Sequence, residues 1–148
     1  MRIWHKNLIS VLPRKQLIGQ WRELSAMAGR IYVDGFPNHI LVNRINDYEI
    51  KHFITFAYLV KQEMEQRGYK PKEDTWIKIQ KLQPDWKYVS FYDLFYDWHN
   101  KRYLTQCYYN LQEKYDCGAI EDEDWFEIHK KYIEFIDTWH KKKNKTSH

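Results

Sequence analysis

The chain has 148 residues, 43 % hydrophobic and 18 % aromatic, with a formal net charge of +4. That length suits one domain with a single core that needs no covalent staples. Cys107 and Cys117 fit no metal spacing and no His/Cys cluster completes one, so no metal and no cofactor is expected. Reduced thiols and a cytoplasmic location are expected with them. Residues 1–12 lack the apolar run of a signal peptide, being broken by His5, Lys6 and Asn7. The longest apolar stretch, around residues 53–60, is too short to span a bilayer, so no membrane partner is expected.

In chain order, Pro13 opens the first helix, where a missing N–H is harmless. Leu17, Trp21, Leu24 and Ala28, with Ile18 beside them, form its apolar stripe. Two polar rows run beside that stripe: Lys15, Gly19, Arg22 and Ala26, then Gln16, Gln20 and Glu23. Because Gly19 and Ala26 are small, a bulky ligand can approach the helix backbone between Lys15 and Arg22. Residues 29–44 read as loop, with Gly35, Pro37 and Asn38 as breakers. A second helix is predicted from Asn46 or Asp47, with Glu49 as a capping-box partner for Asn46. It buries Ile50, Phe53, Ile54, Ala57, Val60 and Met64 and stops at Arg67-Gly68, ahead of Pro71.

Residues 70–88 read as loop or short turns, and the aromatic stretch 90–98 as one or two helical turns. A third helix is predicted over residues 100–115, burying Leu104, Cys107, Tyr108 and Leu111. A fourth over residues 122–142 buries Trp125, Ile128, Tyr132, Phe135 or Ile136, and Trp139. Its acidic start and lysine-rich end suit the helix dipole. The expected fold is all-α: a compact, irregular single-domain bundle of three to four main helices with long loops. The domain covers residues 1–140, and residues 141–148 form a basic, disordered tail.

Charge is unevenly spread. Residues 1–46 hold Arg2, Lys6, Arg14, Lys15, Arg22, Arg30 and Arg44 against only Glu23 and Asp34, whereas acids outnumber bases over residues 47–140. Lys141, Lys142, Lys143 and Lys145 close the chain. A basic face of this kind is what a polyanion partner requires. Trp4 is the candidate for an exposed ring that stacks on unpaired bases.

Two features of the front end carry chemistry. Arg2 is too large for the initiator methionine ahead of it to be clipped, so the Met1 α-amine is the expected mature terminus. As a class, α-amines ionise near pH 7.7–8.0 against about 10.4 for lysine, so a useful fraction is neutral near neutrality. A neutral amine beside a carboxylate such as Glu23 is a candidate nucleophile for Schiff-base chemistry. Taken alone, the same two residues also read as a frayed end near a solvated charge.

A resemblance adds to this. The segments Arg2-Ile3, Leu8-Ile9-Ser10, Leu12 and Gln16-Leu17-Ile18-Gly19-Gln20-Trp21-Arg22-Glu23-Leu24 resemble the opening of the pyrimidine-dimer DNA glycosylases, the phage endonuclease V type and its bacterial relatives. The likeness continues through His39 to Gln66-Arg67-Gly68-Tyr69-Lys70-Pro71, and more loosely to Cys117-Gly118. It implies a compact helical fold and a DNA glycosylase with apurinic/apyrimidinic lyase activity on damaged double-stranded DNA. The Met1 amine would attack the sugar C1′, expel the base and form an imine, and β-elimination would then cut the backbone. Met1 and Glu23 are the implied catalytic pair. The DNA-contacting set is Arg2, Arg14, Lys15, Gln16, Arg22, Arg30 and His39. No metal is implied, and nothing demands more than a monomer. Ala26 stands where the phage enzyme has arginine and Gln16 where it has histidine, and that enzyme's C-terminal aromatic-lysine segment has no clear match. The alternative reading is a non-catalytic helical module that binds nucleic acid through the same basic face.

Overall fold

A computed structural model describes the backbone of residues 1–146 and the side chains of residues 1–139. All regular structure among the described residues is helical. The helices are α1 (Arg14–Asp34), α2 (Ile50–Gln66), α3 (Glu73–Gln80), α4 (Lys101–Asp116) and α5 (Asp122–Thr146). Short 3-10 helices cover Lys6–Val11 and Asn43–Asp47. The chain gathers into two compact units, one of Met1–Trp4 and Arg14–Trp98, the other of His5–Pro13 with the residues from His99 onward.

In the first unit α1 packs on α2 and α3. The α1 stripe is buried as its spacing predicts, with Leu17, Trp21, Leu24, Met27 and Ala28 inside. The helix starts one residue after Pro13 and runs well past the expected break at Gly29, to Asp34. A single glycine inside a helix costs only about 1 kcal/mol against alanine, which a long packed helix absorbs. The stop comes at Gly35, whose φ of 84° is the left-handed geometry glycine adopts freely.

α2 begins later than the sequence suggests. Residues 43–47 take a 3-10 turn, and Glu49 is itself the N-cap, without a side-chain capping bond, so the expected Asn46–Glu49 box does not form. The C-terminus is as expected. Gly68 has a φ of 83°, and Tyr69 N–H returns to the Met64 carbonyl at 2.9 Å, a turn that sends the chain back across the helix end.

One expectation fails here and a second holds only in part. Residues 73–80, expected as loop, form α3, which has Glu73 and Asp74 in its first turn and Lys78 in its last and buries Trp76 and Ile79. Residues 90–98, expected as one or two helical turns, form a run of turns with one helical bond, from Leu94 N–H to the Ser90 carbonyl at 2.9 Å, while side chains of α2 and of Tyr48 ahead of it take other backbone donors in and beside the stretch. Thr55 Oγ1 accepts from Val89 N–H, His52 Nδ1 from Phe95 N–H, and the Tyr48 hydroxyl from Trp98 N–H. Phe95 adopts a φ of 50° there, with the rings of Tyr48, His52, Phe56 and Trp98 around it.

In the second unit α5 packs on α4 and on the 3-10 helix Lys6–Val11. Asn100 Oδ1 caps α4 by accepting from Tyr103 N–H at 2.9 Å. Leu104, Cys107, Tyr108 and Leu111 are buried as their spacing predicts. Along α5, Ile128 is fully buried, whereas Trp125, Tyr132, Phe135, Ile136 and Trp139 are half-buried. Tyr108 stacks on Tyr132 with ring centroids 3.9 Å apart. The backbone of α5 runs on to Thr146, into the stretch expected as a disordered lysine tail over residues 141–148, whose side chains and last two residues lie outside the described residues. No helix among the described residues is long and apolar enough to cross a membrane.

Candidate active site

Three faces of α1 organise the site, and each follows from the 100° step between successive residues of a helix. The row Gln16, Gln20 and Glu23 faces the N-terminal segment, which lies extended along it. Gln20 Oε1 accepts from Trp4 N–H at 2.8 Å, and Gln20 Nε2 donates to the Arg2 carbonyl at 2.8 Å. One turn further along, Glu23 Oε2 accepts from Arg2 N–H at 3.0 Å. Backbone dimensions therefore keep the Met1 nitrogen within about 7 Å of that oxygen. Met1 is 39 % exposed, so its end of the segment is open to solvent.

Trp4 is buried, which corrects the expectation of an exposed stacking ring. Its indole lies beneath the Arg2 guanidinium, 5.3 Å from ring centroid to Cζ, and forms a platform for that cation. Ile3 is buried completely. The N-terminus is thus anchored from residue 2 onward rather than frayed.

The second face is the strip of Lys15, Gly19, Arg22 and Ala26. Lys15, Arg22 and Ala26 are exposed, and a Cβ built on Gly19 meets nothing within 4 Å. The backbone of α1 is therefore open to close approach between the two cations.

The third face, Arg14, Ile18, Trp21, Arg22 and Ser25, forms one wall of a cleft of about 540 Å³. Met64, Gly68, Tyr69, Lys70, Pro71, Lys72 and Thr75 supply the rest of its lining. Arg14 lies over the Tyr69 ring at 5.2 Å. Four cations, Arg14, Arg22, Lys70 and Lys72, thus line one concave surface, a setting suited to phosphate oxygens.

The predicted site residues divide accordingly. Arg2 and Glu23 are joined directly, and Arg14, Lys15 and Arg22 lie on adjoining faces of the same helix. Gln16 is half-buried, with its Oε1 enclosed and without a hydrogen-bond partner. Arg30 pairs with Asp34 at 3.5 Å near the end of α1. His39 serves its own turn: its N–H donates to Asn43 Oδ1 and its Nδ1 accepts from Leu41 N–H. Neither is brought into contact with the Arg2–Glu23 cluster. Sequence reasoning missed the backbone-holding role of Gln20 and the cleft residues Tyr69, Lys70 and Lys72. The signal for the latter was present in the Gly68 turn, which folds the basic segment back toward α1. Among the described residues no group of three or more His, Cys, Asp or Glu side chains could hold a metal ion.

A family model for pyrimidine dimer DNA glycosylase matches residues 1–77. The chain belongs to the pyrimidine dimer DNA glycosylase family. No curated protein and no solved structure matches it. Every residue of the Arg2–Gln20–Glu23 cluster and of the basic cleft lies inside the matched segment. As a pyrimidine dimer DNA glycosylase by family, the chain belongs to a class of DNA-repair enzymes.

Proposed function

We propose that the protein is a DNA glycosylase with apurinic/apyrimidinic lyase activity, in which the Met1 α-amine is the nucleophile and Glu23 the general acid/base. The observation that carries the reading is the 3.0 Å bond from Arg2 N–H to Glu23 Oε2, which ties the residue after the amine to the carboxylate. The neutral amine adds to C1′ and the base departs with the glycosidic bond pair, taking up a proton. Opening of the sugar ring then leaves an iminium between the Met1 nitrogen and C1′. Loss of a C2′ proton expels the 3′ phosphate as leaving group and breaks the strand. Glu23 can receive the amine proton, stabilise the cationic sugar and iminium, and accept the C2′ proton.

The surrounding residues suit a duplex substrate. Arg2, Lys15 and Arg22 reach phosphates on either side of the reacting sugar, and the open backbone at Gly19 lets the strand come close. Arg14 extends the cationic surface, with Lys70 and Lys72 across the cleft. A lesion weakens stacking, which makes extrusion of the target nucleotide less costly.

The test is borohydride trapping on duplex DNA carrying an abasic site or a pyrimidine dimer. Wild-type protein is expected to form a covalent adduct and to nick the strand without added metal. Glu23→Gln is expected to lower the single-turnover rate by about 100-fold or more while DNA affinity is retained. Salt-sensitive binding with no adduct from wild-type protein contradicts the enzyme and favours a non-catalytic nucleic-acid-binding module.

A further inference from the structure

We infer that Gln20 is the positioning residue that sets the reach of the Met1 amine, an inference that rests on the reading of that amine as nucleophile. Gln20 lies on α1 one turn before Glu23 and is 1 % exposed. The two ends of its planar amide grip the N-terminal segment at two points, receiving Trp4 N–H and donating to the Arg2 carbonyl, each at 2.8 Å. A neighbouring strand would offer the segment the same donor and acceptor, so Gln20 acts as a one-residue sheet edge. Among side chains of this length only an amide carries both groups at its tip: glutamate lacks the donor, and methionine lacks both.

The consequence is a fixed register. Ile3 and Trp4 are buried beyond the grip, so the segment cannot slide toward them. Glu23 takes the Arg2 N–H from the next turn of the same helix row. Only Met1 projects past the two holding points, and its nitrogen is held within a single residue of the carboxylate. Fixing a nucleophile in this way raises its effective concentration at the reacting atom, and a displacement of about 1 Å removes much of that gain. Gln20 has no direct part in the reaction; it acts through the backbone of Arg2 and Trp4.

The experiment compares wild type, Gln20→Met and Gln20→Glu by single-turnover borohydride trapping on an abasic duplex, alongside the affinity for the same duplex. Gln20→Met is expected to slow trapping by about 10- to 100-fold while the dissociation constant stays within about twofold. Gln20→Glu keeps the acceptor for Trp4 N–H, but its carboxylate opposes the Arg2 carbonyl until it is protonated. Its rate relative to wild type is therefore expected to rise as pH falls from 8 to 5.5, since the carboxylic acid regains the lost donor. A merely structural role would lower stability without this pH signature or this split between rate and affinity. Wild-type rates and pH profile in both variants overturn the inference. Absence of any adduct from wild-type protein overturns the reading beneath it, and the positioning role with it.

Discussion

His5 is fully buried beside His99, with ring centroids 4.9 Å apart, and its Nδ1 accepts the Asn7 N–H at 3.1 Å. Burial pushes its pKa down to about 3, since the charged ring would lose its hydration there. The folded state thus demands neutral His5, while the unfolded chain takes up a proton near pH 6.5. Stability from this residue is complete above pH 6.5 and is lost as pH falls toward 3, at about 1.4 kcal/mol per pH unit. Between pH 7 and 5 wild type should lose about 2 kcal/mol that His5→Asn, which keeps an acceptor for Asn7, does not. Urea unfolding of both proteins at the two pH values measures the difference, and identical pH dependence would contradict it. Tyr48 shows the opposite sign. Burial first, then its bond to Asp97, pushes its pKa up to about 12, and the hydroxyl also receives Trp98 N–H at 3.1 Å. Tyr48→Phe is expected to destabilise the 90–98 turns by on the order of 1–2 kcal/mol, read as faster amide exchange at Trp98. At this scale Glu23 and Arg2 were legible because the N-terminal motif contains both. Gln20 and Trp4 were not, because their roles depend on the chain start lying along α1, a contact 16 residues apart in sequence that no local pattern encodes.

Helix α1 carries the candidate site, and one helix supplies all three of its faces. Gly19 is the place to test them separately. It has ordinary helical geometry, and an added Cβ meets nothing, so no feature of the fold requires glycine there. Gly19→Ala should stabilise the protein by about 0.5–1 kcal/mol, seen as a higher thermal midpoint. Gly19→Leu should fold as well as wild type yet bind abasic duplex about tenfold more weakly, roughly 1.4 kcal/mol, because it fills the strip between Lys15 and Arg22. Equal affinity would remove that strip from the DNA interface. Among the elements, α2, α4 and α5 were readable because each carries a long apolar period with caps or stops at its ends. The continuation of α1 past Gly29 was hidden because glycine signals a break, whereas Lys78 of α3 lies where a Gly29 side chain would be, its Nζ 3.2 Å from the built Cβ. α3 was hidden by its eight-residue length, with only Trp76 and Ile79 buried in a polar background. The 90–98 stretch was legible as turns, but the side chains some forty residues earlier that hold its backbone, His52 for Phe95 N–H and Thr55 for the adjoining Val89 N–H, were not.

On the scale of the whole molecule, the basic N-terminal third supplies the cations of α1, and Lys70 and Lys72 join Arg14 and Arg22 around the cleft. The all-α class was legible from helical periods and the lack of alternating runs. The grouping of His5–Pro13 with residues from His99 onward was not, since those segments lie some ninety residues apart. If the basic face holds duplex DNA, affinity falls steeply with salt, and Arg22→Ala should reduce the slope of log affinity against log salt by about 1. The central claim concerns one atom, the Met1 nitrogen, and is tested most directly by mapping the borohydride-trapped adduct by peptide mass spectrometry. The account predicts the sugar remnant on the Met1 nitrogen of the N-terminal peptide, and its loss in Glu23→Gln. A remnant on a lysine such as Lys15, with the N-terminal peptide unmodified, would contradict it.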